Sequence, residues 1–330
     1  AVPLTPGLNG TNGIVPIARQ GQKIDASDDG QFGLALRYEF SEVEASLFFM
    51  NYHSRAPYAA LETGDQGVCS VDNNISGQYG ALCQASSAPG AGAFAVLADG
   101  LYYLNDTYYD LAYPEDIRLY GLSLSGNIGE TSIGMEVTYR PNMPFSTNRA
   151  EFATLAENAL DVTVLAVGGV PGGSSGGTTD LGAIGTVASG TKANLYRRDE
   201  LYTWTVNATH NFGPNLGADD VNLISEVSGK IIPGSITDVS NFSNLSKSSY
   251  EYTLVLSGSY DNVLPGVDLS PSLTLNENLH GDDKGAMSYS AKVSADYGSN
   301  ISAELAYNAW NSQSAQRDRD NVAFNVAYSF

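Results

Sequence analysis

The chain has 330 residues, 42% of them hydrophobic and only 16% charged, with a formal net charge of −20. No run of about 18 apolar residues exists, which excludes a transmembrane helix. No basic stripe exists to neutralise phosphates either, which excludes nucleic acid as a partner. Twenty tyrosines and 35 glycines suit a tyrosine-girdled barrel with glycine-rich loops and suit an α/β enzyme poorly. The acidic excess belongs to solvated loops and lumen.

Residues 1–30 read as loop, rich in proline and glycine, with an apolar island at Ile14-Val15-Pro16-Ile17 and an acidic run through Asp25, Asp28 and Asp29. These acids offer oxygen ligands but lack a full calcium-loop pattern, so no metal site is assigned. Residues 1–6 do not read as a secretory leader, which is expected to be removed or to lie outside this sequence.

The first strand follows. Phe32, Leu34, Leu36, Tyr38 and Phe40 alternate with Gly33, Ala35, Arg37 and Glu39, which is the period of two. After the turn Ser41-Glu42, a second strand carries Val43, Ala45, Leu47 and Phe49 on one face. Residues 54–115 form a long connection with both cysteines, a short helix expected from Ala91 to Gly100, and a tyrosine cluster from Tyr102 to Tyr113.

Cys69 and Cys83 are expected to form a local disulfide, closing a small loop in an oxidising compartment. Its stabilisation is on the order of 3 kcal/mol in the chain-entropy description.

A hairpin comes next, with Tyr120, Leu122, Leu124 and Ile128 returning as Ile133, Met135, Val137 and Tyr139 across Gly129-Glu130. The second long connection spans 141–197. Asn148 and Glu151 have capping-box spacing, and Phe152, Leu155, Ala156, Ala159 and Leu160 follow helical spacing, so a short amphipathic helix is expected. Strands then come regularly at about 199–212, 219–231 and 248–260, followed by those centred on Leu273, Val293 and Leu305. The last strand runs from Asn321 to Phe330, where Val322, Phe324, Val326, Tyr328 and Phe330 alternate with small or polar residues.

Eleven strands result, and their connections alternate strictly between short and long. Outer-membrane barrels have short periplasmic turns and long extracellular loops, so Phe330 falls at the periplasmic end. The expected fold is all-β: one transmembrane antiparallel up-and-down barrel domain over 1–330. An odd count leaves open edges, which lipid does not tolerate. At least one further strand, and about 14 in all by analogy, is expected from the same precursor or from another chain.

Tyr139-Arg140-Pro141-Asn142-Met143-Pro144, with the opening Pro-Leu-Thr-Pro-Gly-Leu-Asn-Gly of residues 3–10 and the segment Gly33 to Phe40, resembles the domain-of-unknown-function 1302 family of Gram-negative outer-membrane proteins. The likeness covers the whole chain, corresponding to the later part of longer members. It implies handling of hydrophobic compounds such as alkanes, fatty acids, terpenes or sterols, and a distant architectural likeness to long-chain fatty-acid transporters. It supplies no catalytic residues.

Two candidate sites emerge. Arg140 and Asn142, at a strand end closed by Pro141 and Pro144, are expected to anchor the loop over the lumen. Ile14, Val15, Phe94, Val96, Leu97, Phe152, Leu155 and Leu160 are candidates for an apolar mouth. The inward charges, among them Arg37, Glu44, Glu136, Lys292 and Glu304, are expected to form a self-satisfying lumen network. No Gly-x-Ser-x-Gly elbow accompanies His53, His210 or His280, and no nucleotide or other cofactor motif occurs, so the reading is not enzymatic. The expected function is passive uptake of a hydrophobic small molecule, with outer-membrane lipid and lipopolysaccharide around the wall and a periplasmic carrier beyond it. The alternative is a structural or adhesive barrel whose loops bind partners.

Overall fold

The computed structural model describes residues 2–3, 14–15, 19–62, 108–146, 178–180, 186–188, 191–238 and 245–329. Its main body is a single 11-stranded sheet. The strands are β1 (Phe32–Phe40), β2 (Val43–Tyr52), β3 (Ile117–Ile128), β4 (Thr131–Ser146), β5 (Tyr196–Asn211) and β6 (Asp220–Ile231), then β7 (Ser248–Leu264), β8 (Val267–His280), β9 (Met287–Tyr297), β10 (Ile301–Trp310) and β11 (Asn321–Tyr328). They pair antiparallel in strict chain order. This is the up-and-down barrel wall expected from the alternation. The sheet's edges are β1 and β11, which are not paired with each other among the described residues.

Register keeps every apolar set on one face. One row runs Leu36, Leu47, Leu122, Val137, Trp204 across five strands. Another runs Leu256, Leu273, Ala291, Tyr307, Val322 across the last five. A one-residue slip of any strand would turn its set to the other side. Trp204 continues its row onto Gly229, where an added Cβ would lie 2.7 Å from the indole. Glycine at 229 is therefore what lets the ring lie flat on the wall.

Connections at 41–42, 129–130, 212–219, 265–266 and 298–300 lie at one end of the wall and those at 53–116, 147–195, 232–247, 281–286 and 311–320 at the other; the strict alternation of lengths expected from the sequence breaks once, since 212–219 is longer than 281–286. Gly129, Gly266 and Gly298 take left-handed φ of 60°, 76° and 57° in three of the short turns, a conformation glycine adopts without a Cβ clash.

Three boundaries differ from the sequence expectation. Residues 19–24, expected as loop, form a strand, Arg19–Ile24. The long connections also supply Tyr58–Glu62, Tyr108–Ala112 and Lys192–Asn194. These four make a small separate sheet at the long-loop end, in which Arg19–Ile24 pairs parallel to Tyr108–Ala112. Finally, β4 does not stop at Pro141. It continues to Ser146, because Pro144 and Phe145 still pair with Arg198 and Arg197 of β5, whereas the ladder to β3 ends at Tyr139. A proline is tolerated on the side of a strand that has no ladder to donate to.

Buried apolar side chains gather at this same end. Ala60, Ile117, Leu119, Ala193 and Leu195 are buried there. Leu201, Ile232 and Ile236 form a second cluster with Met143, Phe145 and Leu245.

Candidate functional site

The outer face of the wall is apolar and exposed over its whole width, from Phe32 at 62% through Leu122 at 43% to Phe324 at 71%. A water-soluble protein does not leave so large a patch uncovered. Aromatic residues bound this band at both ends. Toward the long loops, Phe32, Phe49, Tyr120, Tyr139 and Tyr202 form an unbroken ladder over five strands, with ring centroids 5.6, 5.0, 6.2 and 4.5 Å apart in turn. Further along this end, Tyr250 stacks on His280 at 5.2 Å. Toward the short turns lie the Tyr38–Phe40 pair at 5.9 Å and His210 against Phe212 at 4.4 Å. Two girdles around an apolar band, short turns at one end and long loops at the other are the signature of an outer-membrane wall, and the protein resides in that membrane.

The inner face is polar. Arg37 pairs with Glu44 at 3.2 Å and Lys292 with Glu304 at 3.2 Å. Thr138 shares a hydrogen bond with Thr203 at 2.6 Å, and Arg140 Nη1 donates to Thr138 Oγ1 at 2.9 Å. The described contact of Arg140 is thus to the wall. On the same face Phe48 lies across Gly121, where a Cβ would meet the ring at 2.0 Å.

Above this lumen, five chain segments are tied into a polar collar. Asn142 Nδ2 donates to the Asp116 carbonyl at 2.7 Å, and its Oδ1 accepts the Arg118 N–H at 2.9 Å. The asparagine side chain therefore continues the β3–β4 ladder beyond the point where Pro141 ends it. Arg198 Nη2 donates to the Glu115 carbonyl at 2.6 Å. Asn51 donates to the Gly30 carbonyl at 2.8 Å and to Asp116 Oδ1 at 2.9 Å.

His53, 5% exposed, accepts the Asp116 N–H on Nδ1 at 3.0 Å and donates through Nε2 to the Asp29 carbonyl at 2.7 Å. Both ring nitrogens are engaged by backbone, so the histidine braces the collar. Asp116 sits at φ 55°, a region aspartate visits more readily than most residues.

The small sheet packs onto this collar. Buried Asp110 accepts an ion pair from Lys192. Tyr58 donates its hydroxyl to the Pro144 carbonyl at 3.1 Å and meets Tyr196 edge-on at 5.4 Å. Burial, with Tyr52 and Tyr196 nearby, pushes the Tyr58 hydroxyl above its ordinary value, so it stays a neutral donor.

Further round the rim, Asp282 accepts the Ser246 N–H at 2.6 Å and pairs with Lys230 at 2.5 Å. Burial pushes this carboxyl up, but the hydrogen bonds from Lys230 and Ser246 and the Lys230 charge outweigh it and hold the group below its usual range. A polar recess of about 450 Å³ opens beside this pair, lined also by Thr203, Ser228, Glu251 and Asn278.

Of the residues singled out in the sequence, Arg140 and Asn142 are placed as above, and Ile14–Val15 form a two-residue strand against Val2–Pro3. Phe94, Val96, Leu97, Phe152, Leu155, Leu160, Cys69 and Cys83, with both expected helices, lie outside the described residues. The collar residues Asn51, His53, Asp116 and Arg198 were not legible as a group. They come from three separate segments with no shared periodicity, and the only local signal is the charged run Arg197-Arg198-Asp199-Glu200 at a strand start.

Among solved structures, the ferric enterobactin receptor of Pseudomonas aeruginosa is 12% identical, over 84% of this chain and 32% of its own, with a TM-score of 0.38. This chain thus spans about a third of that receptor's length. A loop-deleted OmpT, an outer membrane protein of Vibrio cholerae, is 10% identical over 90% of this chain and 89% of its own, with a TM-score of 0.31. The Pseudomonas putida toluene transporter TodX is 8% identical over 91% of this chain and 73% of its own, with a TM-score of 0.27. Comparison with curated protein sequences returns no match. A family model described as "Protein of unknown function (DUF1302)" matches residues 5–330.

Proposed function

The chain belongs to the DUF1302 family, and from that premise we propose that it is a passive, non-enzymatic outer-membrane channel for hydrophobic small molecules of the alkane, fatty-acid, terpene or sterol class. The observation that carries the channel reading is the two-faced wall: an exposed apolar band outside and a row of hydroxyls and paired charges inside. A polar interior of this kind is compatible with a water-filled path through the wall. The hydrophobic class of solute is supported by the apolar segments carried in the long connections, around Phe94 to Leu97 and Phe152 to Leu160.

In this reading the loops capture the solute and the braced collar holds them over the lumen. The solute passes down its gradient toward a periplasmic carrier. We further propose that additional strands, from the same precursor or another chain, close the wall between β1 and β11. Strands of an antiparallel meander alternate in direction, so these two edges run the same way. An odd number of inserted strands restores an antiparallel seam and satisfies edge groups that are costly in lipid.

Deletion of residues 146–166 tests the capture step. Uptake of long-chain alkanes, fatty acids or terpenes by cells carrying the variant is expected to fall while the barrel still inserts. Unchanged uptake overturns loop capture. The mass of the purified native species tests closure: a monomer no heavier than this chain overturns it.

A further inference from the structure

The apolar face is not uniform. It sinks into a groove of about 520 Å³ that runs from Leu216 and Val221, beside the short connection 212–219, up the face to Ala291, Tyr307 and Val322. The floor is made by Gly258, Pro271 and Ala291, and the walls by Leu256, Leu305 and Tyr307. The cause is local. Pro271 has no N–H to donate, and the β7–β8 ladder passes from Ser257–Ser272 to Tyr260–Leu269 without the two rungs between, while pairing with β9 continues through Pro271–Val293. The wall is dented where the ladder is skipped and where three small or cyclic residues leave no side chain to fill the dent.

We propose that this groove seats one acyl chain of a phospholipid from the inner leaflet of the outer membrane. It is continuous with the lipid-facing band, so the hydrocarbon that covers the rest of the face covers it too. Its lining is almost wholly apolar, so water has nothing to bind there. An apolar recess left empty loses the dispersion contacts of every atom lining it. A chain lying in the dent touches wall on three sides, whereas one lying on the flat face of β2–β4 touches it on one. The groove therefore holds its lipid longer than the surrounding face does. Its lower end, at Leu216 and Val221 beside the short connection 212–219, opens at the side of the membrane where a phospholipid of the periplasmic leaflet can feed a chain upward into it. This inference rests on the membrane placement of the wall and not on the solute.

The test uses the full protein in phospholipid vesicles containing a phospholipid with a photoactivatable diazirine on its acyl chain. After irradiation, labelled peptides are counted by mass spectrometry. Label on the groove segments of β7 to β10 is expected to exceed that around Leu47, Leu122 and Val137 several-fold. Ala291→Leu, which fills the exposed floor, is expected to bring groove label down to that flat-face level. Ala295→Leu, on the same strand and face outside the groove, is expected to leave it unchanged. Equal labelling of both faces, or groove label insensitive to Ala291→Leu, overturns the proposal. The wild-type ratio decides the matter even if the filled variant inserts poorly.

Discussion

Asn142→Ala is the most direct probe of the collar. Pro141 ends the β3–β4 ladder, and the Asn142 side chain then makes two hydrogen bonds in its place, accepting from Arg118 N–H at 2.9 Å and donating to the Asp116 carbonyl at 2.7 Å. Each such bond contributes about 0.5–1.5 kcal/mol net. Both lie where water can reach, so the pair is expected to contribute about 1–2 kcal/mol in all, at the low end of that range.

The loss is local, because the rest of the ladder from Tyr120–Tyr139 downward is untouched. A local loss of about 1.4 kcal/mol is tenfold in an equilibrium, so the Arg118 amide should exchange its hydrogen about tenfold faster. The barrel's global unfolding should stay within about 0.5 kcal/mol of wild type. Asn142→Asp keeps the acceptor for Arg118 and loses the donor to Asp116, and should fall between the two. Hydrogen exchange resolved to the peptide at 116–119 is the assay. An Arg118 amide that exchanges in Asn142→Ala as slowly as in wild type would refute the idea that this side chain stands in for the missing rungs.

Three other expectations follow from the same contacts. Asp282 is held below its unfolded value of about 3.9, so its contribution is present above that pH and is lost as pH falls through the depressed folded value. Proteolysis of the 232–247 loop should accelerate below about pH 4 in wild type, and Asp282→Asn should show the fast rate already at neutral pH. Val206→Arg, on the lipid face midway between the girdles, should cost about 2–4 kcal/mol in denaturant titrations in lipid. Thr205→Arg, one residue away and facing the lumen opposite Glu136 and Ser228, should cost much less, and equal costs would contradict the assignment of faces. His53→Ala removes the buried ring and leaves the Asp116 N–H and the Asp29 carbonyl, both on exposed residues, to partner with water, at about 1 kcal/mol, and should expose the peptide around 113–117 to protease without altering insertion.

The wall was legible because lipid and lumen impose a period of two that nothing overrides. Leu122 and Val137 read as outward from their neighbours alone, and the turns at Ser41-Glu42 and Gly129-Glu130 punctuate the strands locally. The continuation of β4 past Pro141 was not legible. Proline shows which hydrogen bond is missing but not which side of the strand it was missing from, and here the β5 side skips Pro141 and Asn142 at an irregularity and resumes at Met143–Asp199. The collar was harder still. His53 alone looks like any loop histidine, and its meaning lies in Asp29 and Asp116, placed beside it only when β1, β2 and β3 align. The apolar groove has the same origin. Pro271 and Ala291 are 20 positions apart in sequence and become neighbours only through the β8–β9 register.

The small sheet at the rim bears on how the wall is made. Its strands come from residues 19–24, 58–62, 108–112 and 192–194: two from the connection 53–116, one from 147–195 and one from ahead of β1, so the whole sheet assembles only from segments distant in sequence. Contacts between such distant segments are slow to assemble, and these must wait until β1 to β5 have already found their registers. A strand slipped by two residues keeps its greasy face outward and escapes detection by lipid, but it displaces its loop by roughly two residue rises, about 7 Å, and the rim sheet then fails to close. The rim sheet can therefore close only over an aligned wall, and a barrel with one strand out of register is expected to be cut faster by protease at 58–62 and 108–112 than the aligned one.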